Sequence, residues 1–186
     1  AGQLGQAVAG LLRERPEYEV RGPFHRAERD LALTSAADLV IIATTTRLRD
    51  VLDDIETAVQ AGSNVLVSAE EAANPFIVDA AAAGRVSALA ESRNVTVAGA
   101  GVNPGLMFDS LVLTILGAAP RGCSLHVRRK VDLSGFGEVV LRRIGIDNTP
   151  SEFELAVQED RILGHAGFPQ SMEIVAGAIG VKIDRI

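Results

Sequence analysis

Cysteine and tryptophan are scarce in this chain of 186 residues, which contains one cysteine, Cys123, and no tryptophan. A single cysteine excludes a disulfide framework within the chain and fits a reducing compartment, so we expect a cytoplasmic protein in which Cys123 is a small buried hydrophobe. His25, His126 and His165 are far apart in the sequence. Without a cysteine pair or clustered histidines, no metal site is expected.

Long apolar runs and an excess of positive charge are also missing. No apolar run reaches the roughly 20 residues that a helix needs to cross a bilayer, so no membrane span is expected. The net charge of −6 and the isoelectric point near 5.1 argue against a nucleic-acid surface. The chain instead has a hydrophobic content of 47%, enough for one large globular domain or two small ones.

The first five residues, A-G-Q-L-G, are followed by a helical pattern. One more glycine before Ala1 would complete G-x-G-x-x-G, the fingerprint of dinucleotide-binding folds. Gly2 would let the backbone approach a pyrophosphate and Gly5 would let the helix pack on a sheet, which predicts cofactor phosphates at Gly2, Gln3, Leu4 and Gly5. The alternative is a glycine-rich turn that caps an ordinary helix. The strand that should precede this loop is absent, so we expect that the chain lacks its natural beginning.

Strand-like and helix-like segments alternate after this loop. Strands are predicted at 18–21, 39–43, 64–68 and 95–99, and helices at 49–61 and 75–93. Such alternation predicts an α/β fold with a Rossmann-type parallel sheet, its first strand missing, whose strands are buried on both faces.

The segment that follows the predicted strand 18–21 bears on the choice of cofactor. An acid usually binds the ribose 2′-hydroxyl of NAD at this place, but here the sequence reads G-P-F-H-R. His25, Arg26 and Arg29 would instead suit a 2′-phosphate, so NADP(H) is favoured and NAD(H) stays possible; solvated loop charges are the alternative. The segment 25–38 is short for a Rossmann crossover.

Polar side chains follow two of the predicted strands, where ligands gather in open parallel sheets. Thr44, Thr45 and Thr46 come after the strand 39–43 and would line the nicotinamide side, or else cap a helix. Glu70 and Glu71 come after the strand 64–68. They form either a solvated first turn or an anionic group beside the reacting carbon, and we expect only one of them to point into the site.

A third loop, G-A-G-V-N-P-G at 99–105, precedes an apolar helix predicted at 106–116. Asn103 is a candidate helix cap with Pro104 at the first helical position. The apolar residues of this helix cover nearly its whole circumference, which predicts burial on most sides. Asp109 lies among them and is either a structural hydrogen-bond anchor or a pocket residue.

The second half of the chain changes pattern. Strands are predicted at 124–131 and 138–146, and the capping box T-P-S-E at 149–152 predicts a helix to about residue 159. A second helix is predicted at 168–177, and the basic residues at 128–130 and 142–143 are interpreted as a solvated strand face. We therefore expect a dinucleotide-binding domain at 1–102 and an α+β substrate-binding and dimerisation domain, also truncated, at 103–186.

Three strings together resemble a known family: V-S-A-E-E at 67–71, G-A-G-V-N-P-G at 99–105 with Asp109 after it, and G-H-A-G-F-P-Q-S at 164–171. They are similar to the 2,4-diaminopentanoate dehydrogenase family, which includes the native amine dehydrogenases and is related to dihydrodipicolinate reductases. The similarity runs from Gly2 to Ile183.

The resemblance implies a Rossmann-type homodimer that interconverts a small amine with a ketone or aldehyde plus ammonia, using NAD(P)H. It implies a catalytic glutamate, Glu70 or Glu71, with Glu71 favoured. We further expect Asn103 to contact the cofactor. The expected substrate pocket is formed by Asn103, Pro104, Met107, Phe108, Asp109, His165 and Phe168, and a structural histidine that bonds a loop carbonyl is the alternative for His165. Two alternatives stay open: a non-catalytic dinucleotide-binding or dimerisation fragment, and a related imine or carbonyl reductase.

Overall fold

A computed structural model describes residues 2–120, 122–159, 161–162 and 167–185, without the side chains of Val139 and Arg143. The chain divides into two compact units: the first combines residues 1–117 with 167–186, and the second is 118–166. The domain boundary expected between residues 102 and 103 stays a prediction. Among the described residues, no helix combines the length and the apolar composition that crossing a bilayer requires.

The first unit is built on a small parallel sheet. Its strands are β1 (Leu39–Ile42), β2 (Asn64–Val67) and β3 (Val97–Gly99), and they lie side by side in that order. Val40 pairs with Val65, which in turn pairs with Val97. The predicted strands 39–43, 64–68 and 95–99 are therefore confirmed, as is the α/β class.

Two helices connect the strands and cover one face of the sheet. Helix α3 (Leu52–Gln60) lies between β1 and β2, and helix α4 (Ala80–Arg93) lies between β2 and β3. The two helices pack on each other and share a core with the sheet. This core includes Val40, Ile42, Ile55, Val59, Val65, Val67 and Val86.

Burial of the strands on both faces was a wrong expectation. Burial alternates along β1 and β2, and Leu39 is 48% exposed. The physical reason is that both connecting helices lie on the same face, so alternate side chains of each strand point away from them.

The segment before β1 contains helix α1 (Gln3–Arg13) and the short helix α2 (Arg29–Leu33), which follows a 3-10 turn at Arg26–Glu28. The strand predicted at 18–21 is wrong, because these residues form no strand and Tyr18 is 55% exposed. A strand depends on a neighbour to pair with, and here Arg21 instead bonds Glu19 on its own segment.

Helices α5 (Ser110–Leu116) and α8 (Phe168–Ile179) complete the first unit. The expectation that Asn103 caps α5 is wrong. Asp109 is the N-cap of this helix and accepts a bond from the Ser110 N–H. Burial of α5 on most sides is also wrong: Val112 is buried, but Leu111 and Ile115 are 40% and 62% exposed. Apolar residues cover nearly the whole circumference of α5, but only one side of the helix is buried.

The second unit contains helices α6 (Glu138–Arg143) and α7 (Pro150–Gln158). The strands predicted at 124–131 and 138–146 are wrong: the first segment has no regular structure and the second contains α6. A pair four residues apart, Glu138 and Arg142, supports the helix. The capping box at Thr149 is confirmed, whereas Cys123 is exposed and not buried as expected.

Candidate functional site

The carboxyl ends of the three strands are linked by backbone hydrogen bonds. The Ser68 N–H donates to Ile42 O at 2.9 Å, and the Ala100 N–H donates to Val67 O at 2.8 Å. These bonds continue the sheet past its strands and bring the loops that follow them to one edge. The threonines at 44–46, the glutamate pair and the 99–105 loop therefore start from the same edge of the sheet.

Glu70 and Glu71 lie in a 3-10 turn, Glu70–Ala73, directly after β2. Their carboxylates accept bonds from different elements: Glu71 Oε2 is 2.8 Å from the Leu48 N–H, and Glu70 Oε2 is 3.0 Å from the Gly167 N–H. The Glu71 N–H also donates to Thr46 O at 3.3 Å. Glu71 therefore lies beside the loop after β1, and Glu70 lies beside the start of α8. Both side chains are half-buried.

The turn that carries the glutamates packs directly on the end of β3. A Cβ atom added to Gly99 would lie 2.6 Å from the Ala73 nitrogen and closer still to the Ala72 carbonyl group. Only glycine allows this approach without a shift of the backbone. Gly99 thus fixes the distance between the glutamate turn and the loop that starts at Ala100.

Asp109 is 1% exposed and holds this loop to α8. Its carboxylate accepts bonds from the Gly105 N–H at 2.7 Å, the Ser110 N–H at 2.7 Å and the Ser171 hydroxyl at 3.0 Å. A buried carboxylate is stable when such donors surround it. Asp109 was expected to be either a structural hydrogen-bond anchor or a pocket residue, and these contacts are those of a structural anchor.

The start of α8 lies against the same loop. Gly167 has no room for a Cβ because the Pro104 ring occupies that space. The Phe108 and Phe168 rings have centroids 5.1 Å apart and planes inclined by 60°, an arrangement that favours aromatic pairs. Phe108 is buried, whereas Phe168 and Met107 are 40% and 39% exposed. The expected pocket residues 103, 104, 108, 109 and 168 are therefore brought together, whereas His165 lies outside the described residues.

The residues expected to bind the cofactor phosphates lie at the beginning of α1. Gly2 is the N-cap of this helix, and no atom lies within 4 Å of a Cβ added there. The N–H groups of Gln3, Leu4 and Gly5 belong to the first turn, where helix geometry leaves them without partners inside the helix. The space and the donors fit an anionic group such as a pyrophosphate.

The basic residues after Gly22 divide into two groups. His25 and Arg26 lie on an exposed 3-10 turn, where the His25 N–H donates to the Glu28 carboxylate at 2.9 Å. Arg29 instead forms an ion pair with the buried Asp54. The Asp54 hydrogen bond, and then its charge, raise the pKa of Arg29 above its ordinary value. Arg29 is therefore engaged by the protein itself, and the contacts of His25 and Arg26 with a 2′-phosphate stay predictions.

The three threonines occupy a loop without regular structure after β1. Thr44 is exposed, and the Thr45 hydroxyl donates to Asp50 at 3.2 Å. Thr46 lies next to Glu71 through the backbone bond described above. None of the three is the N-cap of the 3-10 turn that follows, since Arg47 holds that position.

The first unit also contains a groove away from the glutamate turn. A groove of about 530 Å³ lies between α3, α4 and β3, with a mostly apolar lining that includes Leu52, Val86 and Val97 but neither Glu70 nor Glu71. Across the described ranges, no three His, Cys, Asp or Glu side chains are grouped to hold a metal ion.

Sequence reasoning missed two residues of this site, Gln170 and Ser171. Both are buried on α8, at 4% and 1% exposure, and Ser171 bonds Asp109. Both belong to the string 164–171 that carries the resemblance. The spacing of Ser171 to the apolar Val175, four residues later on the same face, was the available signal for its burial.

Comparison with known proteins supports the resemblance. Residues 106–186 match the family model of the 2,4-diaminopentanoate dehydrogenase C-terminal domain. Over 157 residues, 84% of this chain, the sequence is 38% identical to 2,4-diaminopentanoate dehydrogenase from Acetoanaerobium sticklandii. The solved structure of an amine dehydrogenase from Mycobacterium smegmatis superimposes on 84% of the chain with a TM-score of 0.65 and 16% identity.

These matches confirm the resemblance inferred from the sequence, and they agree with an α/β fold that contains a small parallel sheet. The chain is similar to only part of each relative, since it spans 44% of the curated enzyme and 46% of the solved chain.

Proposed function

We propose, from the kinship of this chain with 2,4-diaminopentanoate dehydrogenase, that it acts as an NAD(P)H-dependent amine dehydrogenase. The reaction would be the reductive amination of a small ketone or aldehyde with ammonia, and its reverse, oxidative deamination. The observation that carries the proposal is the glutamate turn at the carboxyl edge of a parallel sheet. There, carboxylates lie between the loop after β1 and the loop that holds Asn103.

An anionic side chain suits this chemistry because positive charge develops on the reacting carbon and nitrogen. A carboxylate beside them would stabilise the ammonium and then the iminium, and would relay protons as ammonia condenses and water leaves. The nicotinamide, when bound, supplies the hydride for the iminium carbon. Glu71 is the favoured proton relay, because it adjoins the Thr44–Thr46 loop expected on the nicotinamide side. Glu70 adjoins the residues expected around the substrate.

The cofactor preference is proposed to be NADP(H), with NAD(H) as the lesser alternative. Gly2 to Gly5 would bind the pyrophosphate, and His25 with Arg26 would meet the 2′-phosphate. Replacing Arg26 with Ala should reduce the ratio of NADPH to NADH affinity several-fold, measured by cofactor fluorescence titration. Arg29→Ala is a less suitable variant because it also leaves Asp54 unpaired.

Substitution of the glutamates tests the proposed reaction directly. The double variant Glu70→Gln, Glu71→Gln should lose at least about a hundredfold in ammonia-dependent turnover, the usual size of an acid–base contribution. NADPH affinity should change less than about twofold, since neither carboxylate is assigned to the phosphates. Glu154→Gln, an exposed glutamate of α7, is the matched control. The two single variants assign the role, with the larger loss expected for Glu71→Gln.

Other results would point elsewhere. Unchanged turnover in the double variant would refute the assignment of the glutamates. Ketone or imine reduction that does not need ammonia would favour the related reductase, and NADPH binding without any turnover would favour a dinucleotide-binding fragment.

We also propose a homodimer, which the resemblance implies, in the cytoplasm, which the single cysteine favours. Light scattering of the purified protein in the presence of a reductant would measure its mass in solution. A monomeric mass at micromolar concentration would contradict the proposed dimer.

A further inference from the structure

Two unpaired buried oxygen atoms lie near the start of α8. Among the described residues, buried side-chain oxygens without a hydrogen-bond partner belong to Ser63, Asn103 and Gln170. Such atoms are rare in folded proteins, because an unmatched buried acceptor loses its hydration without compensation. Ser63 follows α3, where its N–H bonds Ala58 O. Asn103 and Gln170 belong instead to the elements that surround Gly167.

The chain itself brings these two acceptors close to Glu70. Asn103 immediately precedes Pro104, whose ring packs on Gly167, and Gln170 follows Gly167 by three residues, within the first turn of α8. The Gly167 N–H in turn bonds the Glu70 carboxylate at 3.0 Å. The segments that carry one carboxylate and two unpaired amide oxygens thus meet at the start of a single helix.

Asp109 holds the backbone beside the two acceptors. Its carboxylate bonds Gly105, two residues after Asn103, and Ser171, the neighbour of Gln170. Both amides are therefore carried by backbone that is held from the buried side. A preorganised acceptor of this kind binds a donor without the cost of ordering a loop.

We propose that Asn103 Oδ1, Gln170 Oε1 and the Glu70 carboxylate form a binding site for the N–H groups of an ammonium ion or a primary amine. The nitrogen of such a ligand carries several donors and a positive charge. It thus matches two neutral oxygens and one anionic group better than a carbonyl compound does. The proposal rests on the proposed function in that it names the atoms that receive the reacting nitrogen.

Variants that remove one acceptor at similar side-chain size test this site. Gln170→Met and Asn103→Leu should each raise the KM for ammonia about tenfold, since a hydrogen bond to a charged group is lost. Gln170→Met should leave NADPH affinity unchanged, whereas Asn103→Leu is judged by the ammonia KM alone, because Asn103 is also expected to contact the cofactor. The melting temperature of the ligand-free chain should stay the same or rise, because an unmatched buried acceptor is removed. Ser63→Ala, which removes the distant unpaired oxygen, is the control and should leave the KM for ammonia unchanged.

A second measurement does not depend on turnover. Ammonium chloride should raise the melting temperature of the wild-type chain more than sodium chloride at the same concentration, and this difference should disappear in Gln170→Met. If that holds while the wild-type chain shows no ammonia-dependent turnover, the site stands and the proposed reaction fails.

Three results would overturn the site. One is an unchanged ammonia KM in both variants of an active enzyme. Another is a loss confined to NADPH affinity, which would assign the amides to the nicotinamide carboxamide. The third is the absence of both turnover and an ammonium-specific shift in the wild-type chain, which would remove the site and the reaction together.

Discussion

The carboxyl edge of the sheet and the second unit, residues 118–166, use acidic side chains in opposite ways. At the sheet edge, Glu71, Glu70 and Asp109 accept bonds from residues 23, 97 and 62 positions away in the sequence. In the second unit, the described acidic side chains of Asp132, Glu138, Glu152 and Glu159 bond partners only two to four residues away.

Long-range and local hydrogen bonds contribute to two different kinds of stability. A long-range bond ties distant segments together and exists only when the whole unit is folded, so its loss lowers the stability of that unit. A local bond stabilises one turn or one helix end, so its loss mainly increases local opening. Acidic residues at the sheet edge should therefore be sensitive to substitution in global unfolding, and those of the second unit should not.

The largest expected effect is at Asp109. Asp109→Ala leaves the buried Ser171 hydroxyl and two part-buried backbone N–H groups without a partner. It should therefore lower the free energy of unfolding by about 3 kcal/mol. Urea denaturation followed by circular dichroism measures this loss. Asp53→Ala, an exposed acid of α3, is the control and should change it by less than about 0.5 kcal/mol. Equal effects of the two substitutions would remove the distinction drawn above.

A steric version of the same test uses Gly99. Gly99→Ala places a methyl group against the Ala72 and Ala73 backbone, which cannot move freely. It should cost about 2 kcal/mol of unfolding free energy. Gly84→Ala, in the open part of α4 where nothing lies within 4 Å, should instead stabilise the chain by about 0.5–1 kcal/mol. A stabilising Gly99→Ala would contradict the close packing of the glutamate turn on β3.

A smaller and local effect is expected in the second unit. Thr149→Ala removes the hydroxyl of the α7 capping box, which should cost about 1 kcal/mol of local helix stability. Hydrogen exchange of the amides at 150–158 measures this opening. The adjacent Ser151→Ala is the control and should not increase exchange. Equal acceleration of exchange throughout the first unit would show that the second unit is not stabilised locally.

The smallest effect is a dependence of α7 on pH. The Thr149 hydroxyl and N–H lower the pKa of Glu152 below its ordinary value. A lowered pKa means that the cap is fully present above the ordinary pKa of glutamate and is lost as the pH falls through the lowered value. Exchange at 150–158 should therefore rise in that acidic range in the wild-type chain and stay flatter in Glu152→Gln. Identical pH profiles would contradict the linkage.

Local features of this molecule could be predicted from the sequence. The apolar runs at 39–43 and 64–68 identified strands because each run is contiguous in the sequence, although hydrophobicity did not show which face of the strand is buried. The T-P-S-E string identified the start of α7 because all the capping atoms lie within four residues. The resemblance to a known family could also be recognised from the sequence, because the strings at 67–71, 99–105 and 164–171 that carry it are short and contiguous.

The errors concern features that depend on distant partners. Segments 124–131 and 138–146 have residues that suit strands, but a strand forms only where another strand pairs with it. Asn103 and Pro104 suit a helix start, yet Asp109 takes the cap because its second oxygen also bonds Gly105 and Ser171. The partners of Glu70 and Glu71 were likewise beyond sequence reasoning, since neither Leu48 nor Gly167 donates through a side chain.

The exposed thiol of Cys123 has a practical consequence for any study of assembly. Because it is the one cysteine of the chain and is accessible, air oxidation can join two copies through it and through no other residue. A twofold mass obtained without reductant would then report a covalent artefact and not the quaternary structure of an enzyme. Gels run with and without dithiothreitol reveal such a disulfide. The Cys123→Ser variant cannot form it, so its mass in solution reports non-covalent assembly alone.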